Sequence, residues 1–193
     1  MDSLNIMIVG VGGQGTLLAS KLIGSVGEKC GYDVKVSEVH GMSQRGGSVV
    51  TYVRLGEKVY SPIIEKGGAD IILAFEKLEA LRWIDYLKKG GILIMNYQEI
   101  DPMPVIMGKS KYPEDITERL GKSGVRLLTV NALETAEKCG NIKTVNVVLI
   151  GLLARITGIG RDVWQKAVEE VVPQKFLEEN IKAFNAGYQY CDS

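Results

Sequence analysis

The sequence contains few of the side chains from which metal centres and hydrolytic sites are built. Its 193 residues include three cysteines, Cys30, Cys139 and Cys191, and one histidine, His40. No two cysteines have CxxC spacing, so this chain alone cannot hold an iron–sulfur cluster or a zinc ion. A single histidine excludes a His-ligated metal site and most histidine-based triads. No GxSxG nucleophile elbow occurs either.

A charge excess and a long apolar run are also missing. Lys+Arg and Asp+Glu number 23 each, so no nucleic-acid partner is expected, because such partners call for a basic excess. No apolar stretch approaches the roughly 18 residues of a membrane span, and MDSLNIMIVG lacks the basic start of a signal peptide. Scattered cysteines, odd in number, favour a cytoplasmic chain with reduced thiols. A neutral chain also leaves a homodimer of the isolated protein open.

The most informative stretch is NIMIVGVGGQGTLLASKLI, from Asn5 to Ile23. It begins with an apolar run, Ile6 to Val9, that is typical of a buried parallel strand. Leu18, Leu22 and Val26 then recur every four residues, which indicates one face of a helix. The sequence therefore predicts a strand that turns directly into a helix.

Four glycines occupy that turn: Gly10, Gly12, Gly13 and Gly15, with Gln14 among them. They match the GxGxxG dinucleotide fingerprint, and the start of the following helix suits a phosphate or carboxylate. The alternative is that the glycines only permit close packing of strand on helix, with positive φ at some positions. The amide of Gln14 could contact a ligand or a partner chain.

A second unusual stretch follows the predicted strand Asp33 to Val39. Glu38 lies 23 residues beyond the glycine turn, near the position of the acid that binds a ribose hydroxyl in dinucleotide folds; the alternative is a solvated carboxylate. The loop HGMSQRGG, from His40 to Gly47, is polar and glycine-rich. Its Arg45 is suited to bind an anion or to pair with a neighbouring subunit.

These observations define the candidate site. No catalytic or metal-ligating residue is assigned. The candidate cofactor-binding residues are Gly10, Gly12, Gly13, Gln14, Gly15, Glu38, His40, Gln44, Arg45, Gly46 and Gly47.

The remaining pattern predicts one α/β domain over residues 1–193, Rossmann-like and three-layered, with a mixed, mostly parallel sheet and a helical C-terminal segment. A hairpin is expected between 48–55 and 59–60. Further strands are expected at 69–75, 92–96 and 126–131, helices at 76–89, 112–120 and 132–139, and three helical pieces from residue 143 to the end.

GVGGQG at 10–15, followed by EVHGMSQRGGSV at 38–49, resembles the small (beta) subunit of indolepyruvate:ferredoxin oxidoreductase. That subunit is similar to the gamma subunit of pyruvate and 2-oxoacid:ferredoxin oxidoreductases. The resemblance extends through the segments 144–151 and 180–187, and the HGMSQRGG loop favours the indolepyruvate branch. It implies a share in the coenzyme A-dependent oxidative decarboxylation of a 2-oxoacid, with ferredoxin as electron acceptor.

The resemblance also implies a division of labour. Thiamine diphosphate and iron–sulfur clusters would be held by a large partner subunit and coenzyme A used in the assembled enzyme, with no cofactor bound by this chain alone. The sequence agrees, because it has no GDG motif of the thiamine diphosphate type. The glycine turn then has no assigned ligand, and either a coenzyme A phosphate or the neighbouring subunit could occupy it. The alternative function is a free-standing NAD(P)- or flavin-dependent oxidoreductase, which explains the glycines and Glu38 but not the HGMSQRGG loop.

Overall fold

The computed structural model describes residues 3–41 and 46–190. The strands are Leu4–Val11 (β1), Asp33–His40 (β2), Ser48–Gly56 (β3), Ala69–Ala74 (β4), Leu87–Asn96 (β5) and Arg126–Val130 (β6). The helices are Thr16–Lys29 (α1), Lys77–Trp83 (α2), Met103–Ile106 (α3), Ile116–Lys122 (α4), Ala132–Lys138 (α5), Val145–Thr157 (α6), Arg161–Val171 (α7) and Leu177–Gln189 (α8).

The six strands form one mixed sheet in the order β2-β3-β1-β4-β5-β6. β1, β4, β5 and β6 pair in parallel, whereas β3 is antiparallel to both β1 and β2. β2 therefore points the same way as β1, and β3 alone among the described strands runs against the rest. The predicted mixed, mostly parallel α/β sheet is confirmed.

The sheet is covered on both faces, as the alternation of side chains along β1 shows. Ile6 and Ile8 pack in a core with α1, α5, α6, α7 and α8, whereas Met7 and Val9 pack in a second core with α2 and α4. All four side chains are fully buried. A strand buried on both faces has to be apolar at successive positions, and this explains the unbroken run in the sequence.

The predicted hairpin is wrong. β3 pairs with β2 from Asp33 opposite Gly56 to His40 opposite Val49, and Val59 and Tyr60 belong to no strand. The β2–β3 pairing is favoured because it adds two full strands to the sheet beside β1. A two-residue strand at 59–60 would form few backbone hydrogen bonds. β2 and β3 thus form a different hairpin from the predicted one, and the HGMSQRGG loop connects these two strands.

The predicted helix 76–89 is too long. α2 ends at Trp83, a 3₁₀ turn covers Ile84–Tyr86, and β5 begins at Leu87, which pairs with Ala69 of β4. Gly90 and Gly91 therefore lie inside β5 and do not end a helix. The short helix expected at 112–120 is α4, displaced to Ile116–Lys122. The three C-terminal helical pieces are confirmed as α6, α7 and α8.

Candidate functional site

The glycine turn connects the carboxyl end of β1 to the start of α1. Gly13 and Gly15 have φ of 102° and 82°, a left-handed backbone that favours glycine. A Cβ on Gly10 would lie 2.7 Å from Oε1 of Gln14 and 3.0 Å from the Phe75 side chain. Packing against Phe75 and Gln14 therefore disfavours a side chain at Gly10, and the positive φ that the sequence predicted falls on Gly13 and Gly15.

The amide of Gln14 is used inside the fold. Its Oε1 accepts the backbone N–H of Val11 at 2.8 Å, and its Nε2 donates to the Phe75 carbonyl at 3.1 Å and to the Gln98 side chain at 3.0 Å. These bonds place Gln14 between the carboxyl ends of β1 and β4, which is the switch point where open α/β sheets bind ligands. In this chain its own glutamine occupies that crevice.

The two motifs of the sequence meet on the other side of the turn. The backbone N–H of Gly12 donates to the carbonyl of Gly47 at 2.9 Å, which joins the glycine turn to the end of the HGMSQRGG loop. Beside this bond lies a cavity of about 400 Å³. It is lined by Gly12, Gly13, Gly15, Thr16, Leu17, Glu38, His40 and Val49.

Within this cavity Glu38 is held in place by two neighbours. Its Oε2 accepts the Thr51 hydroxyl at 3.2 Å, and its Oε1 lies 3.5 Å from Nδ1 of His40. The imidazole is mostly exposed, whereas the carboxylate is half-buried. The pair can therefore accept a ligand hydroxyl at Glu38 and offer a hydrogen bond from His40.

The opposite wall is the N-terminus of α1. This helix of 14 residues has no acidic side chain in its first turn and no side-chain cap. The first backbone N–H groups of a helix have no partner within it and carry a partial positive charge. Thr16, the first residue of the helix, lines the same space. The cavity therefore combines an anion-binding wall with a hydroxyl-accepting carboxylate.

Four of the candidate residues need separate comment. Gln44 and Arg45 lie outside the described residues. Gly46 is exposed with φ of 71°, and Gly47 reaches the site through its carbonyl bond to Gly12.

The position of Glu38 differs from that of the acid in a dinucleotide fold. There the second strand lies beside the first, in the order 3-2-1-4-5-6. Here the antiparallel β3 lies between β1 and β2. Glu38 is therefore two strand spacings from β1, about 9–10 Å, instead of one. The cavity still brings Glu38 to the glycine turn, but through a different geometry.

A buried acidic cluster was missed by the sequence reasoning. Glu76 and Glu79 are each 1% exposed. Glu76 accepts the Tyr112 hydroxyl and the backbone N–H groups of Glu79 and Ile100. Burial raises the pKa of the Glu76 carboxyl, and burial together with the bond to Glu76 raises the pKa of Tyr112. The available signal was the position of Glu76 just beyond a buried parallel strand.

Glu79 connects this cluster to the hairpin loop. It accepts hydrogen bonds from the Ser48 hydroxyl, the Arg82 guanidinium and the Trp83 indole. Ser48 is the first residue of β3, so Glu79 anchors the strand that follows the HGMSQRGG loop. Every carboxylate oxygen of the cluster has an internal partner, which indicates a structural role.

Metal and membrane features can be assessed for the described part of the chain. Residues 3–41 and 46–190 contain no group of three or more His, Cys, Asp or Glu side chains that could hold a metal ion. Among the helices in these ranges, none is long and apolar enough to cross a membrane.

Comparison with known proteins identifies relatives along the whole chain. A model of the pyruvate ferredoxin/flavodoxin oxidoreductase family matches residues 5–190. The chain is 44% identical to indolepyruvate oxidoreductase subunit IorB of Thermococcus kodakarensis, over 97% of this chain and 95% of that protein.

Two solved structures share the fold. The gamma subunit of keto/oxoacid ferredoxin oxidoreductase from Geobacter sulfurreducens superposes with a TM-score of 0.72 at 24% identity, over 96% of each chain. A 2-oxoglutarate:ferredoxin oxidoreductase from Magnetococcus marinus, with 2-oxoglutarate, coenzyme A and succinyl-CoA bound, gives a TM-score of 0.74 at 19% identity. The match covers 97% of this chain and 31% of that one.

Proposed function

The chain belongs to the pyruvate ferredoxin/flavodoxin oxidoreductase family, and we propose that it is the small subunit of an indolepyruvate or closely related 2-oxoacid:ferredoxin oxidoreductase. The observation that carries this proposal is the 44% identity to an indolepyruvate oxidoreductase subunit over nearly the full length of both chains. The reaction is the oxidative decarboxylation of a 2-oxoacid with coenzyme A, which yields an acyl-CoA, CO₂ and reduced ferredoxin.

In this proposal a large partner subunit holds thiamine diphosphate and the iron–sulfur clusters. The proposal takes ferredoxin as the electron acceptor from the family and its relatives, and a cytoplasmic location from the scattered, odd-numbered cysteines. The free-standing NAD(P)- or flavin-dependent oxidoreductase is not favoured, because β3 lies where a dinucleotide fold has its second strand and Gln14 fills the crevice at the switch point.

The proposal is tested by mixing subunits. We expect this chain alone to be colourless and inactive towards indolepyruvate. Mixed with its large subunit, it should elute as a hetero-oligomer in size-exclusion chromatography and reduce ferredoxin when a 2-oxoacid and coenzyme A are added. Elution of the chain alone also tests the homodimer expectation. Activity of this chain alone with a bound nicotinamide would contradict the proposal, as would a large subunit that is fully active without it.

We further propose that the cavity beside the glycine turn binds a phosphate and ribose portion of coenzyme A. The free N–H groups at the start of α1 suit a phosphate, and Glu38 can accept a ribose hydroxyl. A Cβ on Gly13 would meet no atom within 4 Å, so this glycine leaves the backbone of the turn open on that wall, whereas a Cβ on Gly15 would collide with the Asn146 side chain.

Leu17→Glu tests this site without disturbing the core. Leu17 is exposed, lines the cavity and lies at the second position of α1. A carboxylate there stabilises a helix N-terminus by about 0.3–1 kcal/mol, so the fold should persist, but it repels a phosphate. We expect the KM for coenzyme A in the assembled enzyme to rise at least about tenfold, a change of about 1.4 kcal/mol.

Leu133→Glu is the matched control, since Leu133 is an exposed leucine at the second position of α5 and does not line the cavity. Equal KM values for coenzyme A in both variants would contradict the site. If Leu17→Glu instead prevents the subunits from assembling, the neighbouring subunit occupies the cavity.

A further inference from the structure

A second cavity lies at the opposite edge of the sheet from the candidate site. It has a volume of about 430 Å³ and is bounded by the edge strand β6, the C-terminal half of α6 and the end of α8. Its lining residues are Arg126, Leu128, Leu152, Arg155, Ile156 and Tyr190. None of them also lines the cavity beside the glycine turn.

Two cations line this cavity, and none of the described residues that line it is acidic. Arg126 is the first residue of β6 and Arg155 lies in the last turn of α6; both are exposed, and no carboxylate is among the lining residues. Within residues 3–41 and 46–190, neither arginine forms a salt bridge. A cation in the last turn of a helix is stabilised by the helix dipole, which accounts for Arg155 in α6. Arg126 lies on a strand, so no helix dipole accounts for it.

Tyr190, which follows α8, lines this cavity and forms two hydrogen bonds there. Its carbonyl accepts a hydrogen bond from Nη1 of Arg155, and its hydroxyl accepts the backbone N–H of Asn131 at 3.3 Å. The tyrosine is thus held at both ends. This contact uses one of the five N–H donors of Arg155 and orients its guanidinium.

The remaining lining is apolar. Leu128, Leu152 and Ile156 contribute aliphatic side chains that also belong to the core on this face of the sheet. A cavity of this volume falls within the ordinary range for small-molecule sites, about 300–1,000 Å³, in which a few polar groups orient a ligand against an apolar surface. Guanidinium groups recognise a carboxylate through charge-assisted hydrogen bonds.

We propose that this cavity binds a small organic carboxylate with an aromatic or branched aliphatic body. The carboxylate pairs with Arg126 and Arg155, and the apolar body lies against Leu128, Leu152 and Ile156. The site is separate from the coenzyme A site proposed above and does not depend on it.

The experiment is an NMR titration of the full-length ¹⁵N-labelled chain with phenylacetate. We expect saturable shifts of the Nε–Hε signals of Arg126 and Arg155. Phenylacetamide, which lacks the charge, should cause no saturable shift. Acetate, which lacks the apolar body, should bind at least about tenfold more weakly.

Variants locate the site. Arg126→Gln and Arg155→Gln should each weaken phenylacetate binding at least about tenfold. Arg119→Gln, which removes an exposed arginine from α4 on the other face of the sheet, should leave it unchanged. A chain that ends at Tyr190 should bind phenylacetate as the full chain does.

Four results would overturn the proposal. They are the absence of saturable shifts with phenylacetate, equal binding of phenylacetamide or acetate, equal weakening by Arg119→Gln, and binding by the shortened chain alone. The last result would mean that residues 191–193 fill the cavity.

Discussion

The crossing of α6 over α8 leaves no room for a side chain at two glycines. A Cβ on Gly187 would lie 2.0 Å from the carbonyl oxygen of Val148, and a Cβ on Gly151 would lie 2.2 Å from the carbonyl oxygen of Phe184. Ordinary contacts of this kind are at 3.4–4 Å. Gly187→Ala therefore requires the helices to separate by about 1.4 Å, because the obstructing atom is backbone and cannot rotate away.

The size of the expected loss in the free energy of unfolding follows from how deeply the side chains of α6 are buried. Its residues from Val147 to Ile150 are fully buried, so a shift of the helix disturbs the whole core on that face. Overpacking of this kind costs about 3 kcal/mol or more, and the higher helix propensity of alanine offsets about 1 kcal/mol. We expect Gly187→Ala to lower the free energy of unfolding by about 2–3 kcal/mol and Tm by about 5–10 °C.

Thermal and urea unfolding followed by circular dichroism measure this change. Gly121→Ala is the matched control, because Gly121 lies in α4, has no positive φ and would place its Cβ within 4 Å of no other atom. It should be neutral or stabilise by up to about 1 kcal/mol. If Gly187→Ala unfolds at the same temperature as the unmodified chain, the reasoning about this crossing is refuted.

Two further predictions concern buried polar groups. Gln14→Leu leaves the Val11 N–H without its partner and removes one of the two donors to the Phe75 carbonyl, to which the Asn96 side chain still donates, so urea unfolding should show a loss of about 1–2 kcal/mol; an unchanged midpoint would contradict the structural role of this amide. Because folding raises the pKa of Glu76, the protonated carboxyl favours the folded state. Its contribution to the free energy of unfolding is fully present below about pH 4.5 and is lost as the pH rises through the folded-state pKa. Over that interval the unmodified chain should therefore lose stability relative to Glu76→Gln, and a difference that does not change with pH would refute the assignment.

The parts of the fold that depend on local pattern were predictable from the sequence. The run Ile6 to Val9, the glycine turn and the helical spacing after it belong to one continuous segment, so β1 and α1 follow from it directly. The parts that depend on distant partners were not. Leu87 fits the apolar face of a helix as well as a strand, and its pairing with Ala69 decides between them.

The candidate site shows the same division. Five of the candidate residues predicted from the sequence line one cavity in the structure: Gly12, Gly13, Gly15, Glu38 and His40. The two partners of the Gln14 Nε2 group are 61 and 84 residues away, so nothing near Gln14 in the sequence indicates that this group faces inward. Whether the cavity binds coenzyme A stays a prediction.

The central position of β1 has a consequence for synthesis of the chain. β1 is made first, yet its neighbours in the sheet are β3 and β4, which end at Gly56 and Ala74. At about 5–20 residues per second, roughly 2–9 seconds pass between completion of β1 and completion of β3. During that time a strand whose apolar run from Ile6 to Val9 is fully buried in the final fold has both edges unpaired. Slowing translation between codons 12 and 48 would prolong this interval and so favour aggregation of the nascent chain over its folding.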